Sequence, residues 1–409
     1  MLTAFVSPPR VQAAVPEAQG PPGLSPAAAR PASLTVFSFT PTRKRLRLCY
    51  GHERRAVVGL TVEDYRGTVK TLLRRTDFLP ARVCRTWNGT DDGGKFLPPG
   101  NYRYRLTAEN SAGREERTGI VSVLKSPVVL GDYALPPPRT LHEEGREPID
   151  NRALVESLKR LGANTYAYLI WKDSGNEWKN LPAFLDLART AGIEVWVYMV
   201  PPTELPKTAS GEIDYPPYQD NYPAWGTAVA ELARSHPNLT ALVMDDFAVN
   251  LKKFTPGYLR EMRSQMTKSN PSLGFIPILY WRDLAGDNRQ LVARYHSLFD
   301  GVIFPYANDP KKSLTTTASE ARQIRETSAA ARRYGLPIVV MIYGYRYPYL
   351  PPPTAAYIGR AVDIGLDASR RGITEGVVTF CLNKTGIDSR ENPAGAFDLV
   401  AKAYRSFRP

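Results

Sequence analysis

Leu239-Thr240-Ala241-Leu242-Val243-Met244-Asp245-Asp246 is an almost continuously apolar stretch that ends in two adjacent aspartates. A short apolar run of this kind predicts a strand that is buried on both faces, as in a parallel sheet. Adjacent like charges repel each other, and burying one of them unpaired costs several kcal/mol. The aspartate pair therefore predicts a functional rim at the end of a buried strand.

The same rhythm of apolar strand, loop and amphipathic helix runs through residues 125–409. The predicted strands are 128–133, 164–171, 194–200, 239–246, 274–281, 301–306, 337–345 and 376–383. The predicted helices are 150–161, with Asp150 as N-cap, then 181–191, 224–235, 256–268, 289–298, 317–334, 355–371 and 393–407. Eight such strands, each followed by a helix, predict an α/β (β/α)8 TIM barrel. The alternative is an open doubly wound sheet, which would need a Gly-rich turn after the first strand, and residues 131–136 (GDYALP) are not one.

Residues 33–124 carry short alternating runs that are broken by turn residues, which predicts an all-β sandwich. Residues 86–94 (TWNGTDDGG) and 97–102 (LPPGNY) resemble the immunoglobulin-like domain of flagellar hook-capping proteins, a module of secreted bacterial proteins. Trp87 and Tyr102 are expected to fill the core of this domain. The resemblance implies a multidomain protein whose first domain has a spacing or docking role and carries no catalytic residue.

Residues 1–32 are rich in Pro, Ala and Gly and predict a disordered leader. Residues 11–13 (VQA) would suit signal-peptide cleavage, although the apolar run before them is short and lacks a basic start. An incomplete or missing signal peptide of this kind predicts a secreted or cell-envelope protein. Cys49 and Cys84 fall in the small domain and would bridge only in an oxidising compartment, whereas Cys381 is expected in the core.

The chain has 409 residues and a net charge of +13, but its arginines are scattered. It contains no nucleic-acid motif and no apolar run long enough to span a bilayer, so neither nucleic acid nor a membrane span is predicted. The positive charge would attract an anionic polymer, an effect that fades with salt. The predicted partner is a carbohydrate, neutral or anionic.

Aromatic and polar residues close the predicted strands, at the rim where TIM barrels carry their active sites. Aromatic faces stack on sugar rings, and carboxylates bind hydroxyl groups. The residues predicted to bind substrate on this basis are Asp132, Trp171, Asp173, Glu177, Tyr198, Tyr280, Trp281, Tyr306, Asp309, Tyr343 and Asn383.

Cleavage of a glycosidic bond needs two carboxyl groups, about 5–5.5 Å apart for retention and about 6.5–9.5 Å apart for inversion of configuration. Alternation along a strand sends Asp245 and Asp246 to opposite faces, unless the strand ends there. One of them is therefore predicted to be catalytic, and Asp246 is preferred because it lies at the tip. Asp283, just after the next strand, is the predicted partner.

The barrel resembles barrel-type glycoside hydrolases, many of which place an acid at the end of the fourth strand, as Asp245 and Asp246 stand here. The resemblance implies hydrolysis of a poly- or oligosaccharide. The resemblance is partial. Chitinase-like barrels carry acids at alternating positions of this strand and end in Glu, whereas Leu242 and Met244 occupy the positions before the aspartate pair here. The Asn-Glu pair of the large retaining clan is absent too, so retention and inversion both stay open.

Other chemistries fit the sequence less well. None of the four histidines, His52, His142, His236 and His296, closes a barrel strand, so neither a metal site nor a cofactor is predicted. The scarcity of histidine also argues against a Ser or Cys nucleophile, which needs a base. The remaining alternative is a non-catalytic carbohydrate-binding or surface protein. A second carboxyl group within about 10 Å of Asp246 would favour the enzyme.

Overall fold

The computed structural model describes residues 2–5, 34–42, 45–52, 54–97, 100–123, 128–133, 149–172, 174–347, 350–384 and 393–407. The first part of the chain forms antiparallel sheets, and the second part forms a ring of parallel strands that is surrounded by helices.

Eight strands make up the described part of the first 123 residues. They are β1 (Leu2–Phe5), β2 (Leu34–Thr42), β3 (Arg45–His52), β4 (Ala56–Asp64), β5 (Gly67–Phe78), β6 (Ala81–Trp87), β7 (Gly100–Asn110) and β8 (Gly113–Val123). A five-stranded sheet has the order β1-β8-β7-β4-β5, and a three-stranded sheet has the order β2-β3-β6. Trp87 and Tyr102 are buried with their rings 6.1 Å apart in the shared core. The likeness to the hook-capping module stays a prediction.

Two details concern the ends and the cysteines of this region. Leu2–Phe5 pair with β8, whereas the sequence predicts a disordered leader for residues 1–32. The pairing is possible because the edge of a sheet offers unpaired backbone groups to an extended segment. Residues 6–32 lie outside the described part of the chain. Cys84 is disulfide-bonded, and Cys49 lies directly opposite it in the register of β3 and β6.

The second part contains eight parallel strands, as predicted. They are β9 (Val129–Tyr133), β10 (Thr165–Ile170), β11 (Glu194–Met199), β12 (Leu239–Met244), β13 (Gly274–Pro277), β14 (Val302–Tyr306), β15 (Ile338–Tyr343) and β16 (Gly376–Phe380). Their order is β13-β12-β11-β10-β9-β16-β15-β14. A single parallel bridge between Ile278 and Ile303 links the two end strands. The sheet is thus a nearly closed barrel that fits the TIM-barrel prediction.

Helices surround the barrel. They are α1 (Asn151–Leu161), α2 (Ser174–Ala191), α3 (Tyr222–Ser235), α4 (Pro256–Ser269), α5 (Trp281–Leu284), α6 (Gln290–Tyr295), α7 (Glu320–Arg332), α8 (Ala355–Arg370) and α9 (Ala396–Ser406). Asp150 caps α1 as predicted, since its carboxylate accepts a hydrogen bond from Ala153 N at 2.9 Å. Helix α5 begins where the sequence predicts the end of a strand. Within the described ranges, no helix is long and apolar enough to cross a bilayer.

Candidate active site

A cavity of about 350 Å³ opens at the carboxyl ends of the barrel strands. Aromatic rings and carboxyl groups dominate its described lining, which consists of Tyr133, Leu169, Trp171, Tyr198, Val200, Glu204, Asp245, Asp246, Ile278, Tyr280, Pro305, Met341, Tyr343, Tyr347, Phe380 and Cys381. The mouth of the barrel is where the topology of this fold gathers loops from different strands. The aspartate pair that ends β12 therefore belongs to a concave site.

The backbone turns sharply at the aspartate pair. β12 ends at Met244, and Asp245 N still donates to Met199 O of β11 at 3.0 Å. Asp246 then adopts φ 35° and ψ 43°, the left-handed region, which few residues other than glycine occupy and which asparagine and aspartate tolerate best. Because the strand has ended, both carboxylates face the same cavity. This is the exception to alternation that the sequence analysis allowed, a strand that ends at the pair.

Each aspartate is held by specific donors. Asp246 N donates to Asp245 Oδ1 at 2.8 Å, and the Tyr280 hydroxyl donates to Asp246 Oδ1 at 2.8 Å. The Tyr198 hydroxyl is hydrogen-bonded to the Asp245 side chain. Hydrogen bonds to a carboxylate fix its orientation and stabilise its charged form. The two acids are thus oriented separately, one by each tyrosine.

A third carboxyl group, that of Glu204, lies beside the pair. It belongs to a short 3-10 helix, Pro202–Glu204, in the loop that follows β11. Its side chain is hydrogen-bonded to that of Asp246. Sequence reasoning missed Glu204 as a site residue, because it lies five residues beyond the end of its strand rather than at the strand tip. The signal that could have found it is a carboxylate within the Pro- and Tyr-rich segment 201–225.

Two side chains bring Glu204 to Asp246. Asn250 is buried and donates from Nδ2 to Thr203 Oγ1 at 3.0 Å and to the Asp246 carbonyl oxygen at 3.0 Å, so it ties the two loops together. Trp171 donates from Nε1 to the Glu204 carbonyl oxygen at 3.0 Å. None of these bonds uses a carboxylate oxygen, which leaves the three carboxyl groups free to interact with each other and with a ligand.

Burial raises the pKa of Glu204 to about 7, and the charge and hydrogen bond of Asp246 add to the shift. Burial also raises the pKa of Asp245 well above its usual range, and the charges of Asp246 and Glu204 raise it further. Carboxyl groups that stay protonated near neutral pH serve as proton donors in catalysis. The cluster can therefore present a protonated carboxyl group next to a carboxylate.

Aromatic side chains form a continuous wall around these acids. Tyr133 packs against Tyr198 with ring centroids 3.9 Å apart and against Phe380 at 4.9 Å. Tyr343 contacts Phe380 at 5.3 Å and Tyr347 at 5.2 Å. Such a wall offers apolar faces on which a sugar ring can stack. Trp171, Tyr198, Tyr280 and Tyr343 line the cavity as the sequence suggested, whereas Tyr347 and Phe380 were not among the predicted residues.

The predicted catalytic partner, Asp283, does not line the cavity. It lies in α5, where its carboxylate accepts hydrogen bonds from Tyr280 N at 3.1 Å and Asn288 Nδ2 at 2.8 Å. The carboxylate closes the first turn of a helix that begins at residue 281, which the prediction treated as the end of a strand. Its role is therefore to position Tyr280 through the backbone, and the proximity to Asp246 that the prediction required is supplied by Glu204.

Asp132 also lies away from the cavity, between the barrel and its helices. It is fully buried and forms an ion pair with Lys384, which is buried as well. Thr379 Oγ1 donates to it at 2.7 Å and Leu382 N at 3.2 Å. Asp132 precedes the cavity residue Tyr133 on β9, so alternation directs it to the outer face of the sheet.

Glu177 supports the cavity from behind. Its buried carboxylate accepts a hydrogen bond from Trp171 N at 2.6 Å, and Trp171 in turn binds the backbone of Glu204. Glu177 therefore does not line the cavity that a substrate would enter, contrary to the prediction. It fixes the strand end that carries one of the aromatic walls.

The other predicted residues on β13, β14 and β16 do not line the cavity either. Trp281 Nε1 donates to Glu326 Oε2 on α7 at 2.7 Å, and the Tyr306 hydroxyl donates to the Thr316 carbonyl oxygen at 3.0 Å. Asp309 is buried within its loop, and Asn383 lies beyond the end of β16. Trp281, Asp309 and Asn383 follow the ends of their strands and turn away with the loops. Tyr306 is still within β14, next to the cavity residue Pro305, so alternation sends it to the opposite face. Asp173 lies outside the described residues.

In the part of the chain that the structure describes, no group of three His, Cys, Asp or Glu side chains is arranged to hold a metal ion.

No family model matches the chain. No curated protein matches it. Solved structures similar to it include a β-glucuronidase from an uncultured Clostridium species, with 13% identity, a TM-score of 0.48 and coverage of 91% of this chain and 68% of that one. They also include a GH113 β-1,4-mannanase, with 11% identity, a TM-score of 0.48 and coverage of 69% and 100%. The GH53 catalytic domain of Ignisphaera aggregans has 15% identity, a TM-score of 0.47 and coverage of 69% and 97%. These neighbours are glycoside hydrolases. A TM-score below 0.5 at 11–15% identity does not establish the function of this chain.

Proposed function

We propose that the protein is a glycoside hydrolase in which Glu204 donates the proton and Asp246 acts as the nucleophile or base. The contact between these two carboxyl groups, inside an aromatic cavity at the mouth of the barrel, is the observation that carries the proposal. A second carboxyl group close to Asp246 is what separates an enzyme from a binding protein with a lone acid. The substrate class is a poly- or oligosaccharide.

In this mechanism, Glu204 protonates the glycosidic oxygen as the bond to the anomeric carbon breaks. If Asp246 attacks that carbon, a water that gives its proton to Glu204 then displaces the Asp246 carboxylate; if Asp246 acts as base, it removes a proton from a water that attacks the carbon directly. In both cases the water supplies the new hydroxyl group. Asp245 accepts a hydrogen bond from Asp246 N at 2.8 Å and so holds the turn that presents the Asp246 carboxylate to the substrate. The aromatic wall orients the sugar ring by stacking.

The spacing of the acids sets a requirement on this mechanism. Glu204 and Asp246 are in hydrogen-bond contact, which is closer than the roughly 5–9.5 Å that separates the two acids of glycosidases. A substrate has to part the two side chains when it enters. Glu204 is only partly buried and stands at the end of a short 3-10 helix, where a side-chain rotation meets little resistance.

The test is a screen of neutral and acidic polysaccharides with the purified protein and matched variants. Asp246→Asn and Glu204→Gln are each expected to lower kcat by about 10²–10⁴-fold on any polymer that the wild type cleaves. Glu212→Gln is the control, since Glu212 is an exposed carboxylate on the same loop. If the wild type binds a polymer but cleaves none, the protein is a carbohydrate-binding protein and the enzymatic proposal is wrong.

The compartment belongs to the same proposal. The disulfide at Cys84 supports a secreted or cell-envelope location, because disulfides persist in oxidising compartments. The net charge of +13 would steer an anionic polymer toward the protein. Cell fractionation tests the location, and recovery of the native protein in the cytoplasm with reduced cysteines would contradict it. Steering predicts a KM for an acidic polymer that rises with salt.

A further inference from the structure

The charged residues at the mouth of the barrel are unevenly distributed. In the ring of strands, β11 stands on one side of β12, and β14 and β15 follow β13 on the other side. The segment after β11, residues 200–221, is rich in acids, whereas the segments after β14 and β15, residues 307–319 and 344–354, are rich in basic residues. The acids are Glu204, Glu212, Asp214 and Asp220, and the basic residues are Lys311, Lys312 and Arg346. A ligand in the cavity therefore meets positive charge on one side of the aspartate pair.

Lys312 stands at the edge of the cavity. Its ammonium nitrogen lies 5.8 Å from the ring centroid of Tyr280 and 5.1 Å from that of Tyr347, and it donates a hydrogen bond to the Tyr347 hydroxyl at 3.3 Å. Both tyrosines line the cavity. The positive charge of an ammonium group is attracted to the face of an aromatic ring. The two rings therefore hold the charge of Lys312 beside the aromatic wall.

The backbone of this loop fixes where the lysine stands. Ser313 N donates to the Ala307 carbonyl oxygen at 2.8 Å, and Gln323 Nε2 on α7 donates to the Asp309 carbonyl oxygen at 2.6 Å. Lys312 itself adopts φ 43°, in the left-handed region that residues other than glycine seldom occupy. Such a conformation persists where the surrounding structure determines it. The position of Lys312 next to the wall is thus built into the loop.

Lys312 has no carboxylate partner among the described residues, where its hydrogen-bond acceptor is the neutral Tyr347 hydroxyl. Asp309, the acid of the same loop, is buried and makes no ion pair with it. Lys253, which also lies over a tyrosine ring, differs because it pairs with Asp220 at 2.6 Å. An ammonium group has three donors, so Lys312 keeps two of them for a ligand.

We propose that Lys312 binds an anionic group on a sugar ring, a carboxylate or a sulfate ester, and that the polymer cleaved in the cavity is an acidic polysaccharide. The cleavage rests on the proposed function, whereas the binding of the anion rests on the contacts of Lys312. A sugar that stacks at Tyr280 and Tyr347 brings its substituents within reach of the ammonium group, which forms charge-assisted hydrogen bonds to their oxygens. Lys312 touches no reacting atom in this proposal, so it acts on specificity.

The test is the binding of matched polymers to the full-length protein that carries Asp246→Asn, so that turnover does not interfere. The acidic probes are polygalacturonate, alginate, hyaluronan and dextran sulfate, and the neutral probes are the carboxyl-reduced polymers and dextran. Affinity electrophoresis measures each pair. Lys312→Met keeps the aliphatic stem on the rings and should weaken binding of the preferred acidic polymer by about tenfold, with no change for its neutral counterpart. Lys312→Arg should retain most of the affinity, because it keeps the charge.

Lys311→Met is the matched control, because it removes the same charge from an exposed neighbour in the same loop. It should weaken binding by about twofold or less. Tighter binding of a uronate polymer identifies a carboxylate as the ligand, and tighter binding of dextran sulfate identifies a sulfate ester. An equal loss in Lys312→Met and Lys311→Met shows long-range attraction only and overturns the proposal, as does a protein that prefers no acidic polymer over its neutral counterpart.

The binding assay also separates this inference from the proposed function. If Lys312→Met selectively weakens binding of an acidic polymer but the protein with native Asp246 cleaves none, the anion site stands and the proposed function fails. If the protein with native Asp246 cleaves neutral polymers and Lys312→Met changes neither cleavage nor binding of any acidic polymer, the proposed function stands and the anion site is wrong.

Discussion

A buried acid and a cluster of half-buried acids on the same barrel show different solutions to one physical problem. Asp132 on β9 is paired with Lys384 and receives hydrogen bonds from Thr379 and Leu382. Asp245 and Asp246, after β12, face each other and Glu204. Hydroxyl and backbone donors hold these acids, without a cation among their described hydrogen-bond partners. Burying charge costs several kcal/mol per ion unless a partner compensates it.

The difference separates a structural acid from a functional one. Burial raises the pKa of Asp132 too, but Lys384, Thr379 and Leu382 oppose the shift and occupy its oxygens, so Asp132 offers nothing to a ligand. Loss of solvent around the acids at the cavity, and then their mutual repulsion, raise the pKa of Asp245 and Glu204 and keep protons available. Clusters of perturbed acids in a cleft are typical of active sites. Four measurements test this contrast.

The largest expected effect on stability is at Asp132. Asp132→Asn leaves the buried Lys384 charge uncompensated and should lower the free energy of unfolding by about 3–5 kcal/mol in urea denaturation. Asp246→Asn removes a charge from a repulsive cluster and should leave stability unchanged or slightly raised. The double variant Asp132→Asn/Lys384→Met should regain most of the loss. Equal destabilisation by Asp132→Asn and Asp246→Asn would break the comparison.

The second measurement is the pH dependence of stability in Glu204→Gln. The folded-state pKa of Glu204 is raised from 4.5 to about 7, so the folded protein binds more protons between these values and its stability falls as pH rises through this window. Glu204→Gln removes that fall. Relative to the wild type, its free energy of unfolding should therefore be higher at pH 8 than at pH 4.5 by roughly 1–3 kcal/mol. Thermal unfolding at both pH values measures it. Glu212→Gln should behave as the wild type. If the difference in stability between Glu204→Gln and the wild type is the same at both pH values, the raised pKa of Glu204 is contradicted.

The third measurement concerns Asn250, which ties the Glu204 loop to the aspartate turn. Asn250→Ala removes three part-buried side-chain hydrogen bonds and should lower the free energy of unfolding by about 1–2 kcal/mol. Because misplacement of an acid by a fraction of an ångström is costly in catalysis, kcat should also fall by about tenfold or more. An unchanged kcat on a substrate that the wild type cleaves would show that the position of Glu204 does not matter.

The smallest effect is expected at Asp283. Asp283→Asn keeps an acceptor for Tyr280 N, and its new amide group can donate to Asn288 once the Asn288 amide turns over to present its oxygen, so stability should change by about 1 kcal/mol or less. kcat/KM should stay within about twofold of the wild type, since Asp283 does not line the cavity. A loss of activity as large as that of Glu204→Gln would restore Asp283 as the catalytic partner of Asp246.

The barrel was predictable because its signals are local. Apolar runs near residues 239–244 and their seven counterparts recur with helices between them, and the Asp150 cap precedes α1 as its type suggests. The aspartate pair at the tip of β12 was predictable for the same reason. Strand ends were placed too late by up to four residues, as at β13, because apolar residues such as Ile278 and Leu279 continue past the strand into its loop.

The partners within the cavity were not predictable, because they depend on loops that meet in space. Glu204 reaches Asp246 only through Asn250 and Trp171, which come from different loops. In the sequence, Asp283 looked like a strand-end acid that could reach Asp246. In the structure it lies in the first turn of the short helix α5, where its carboxylate binds the N-cap backbone. The same holds for Asp132, whose partner Lys384 lies 252 residues away.

The sequence by itself therefore determined the alternating strands and helices, the parallel barrel and the presence of acids and aromatic residues at its rim. Periodicity and composition encode these features within short segments. Only the tertiary structure decided which acids share a cavity, because a left-handed turn at Asp246 and the hydrogen bonds of Asn250 bring three carboxyl groups together. Burial and mutual repulsion then set their proton affinities, and both depend on the distances between groups that are remote in the chain.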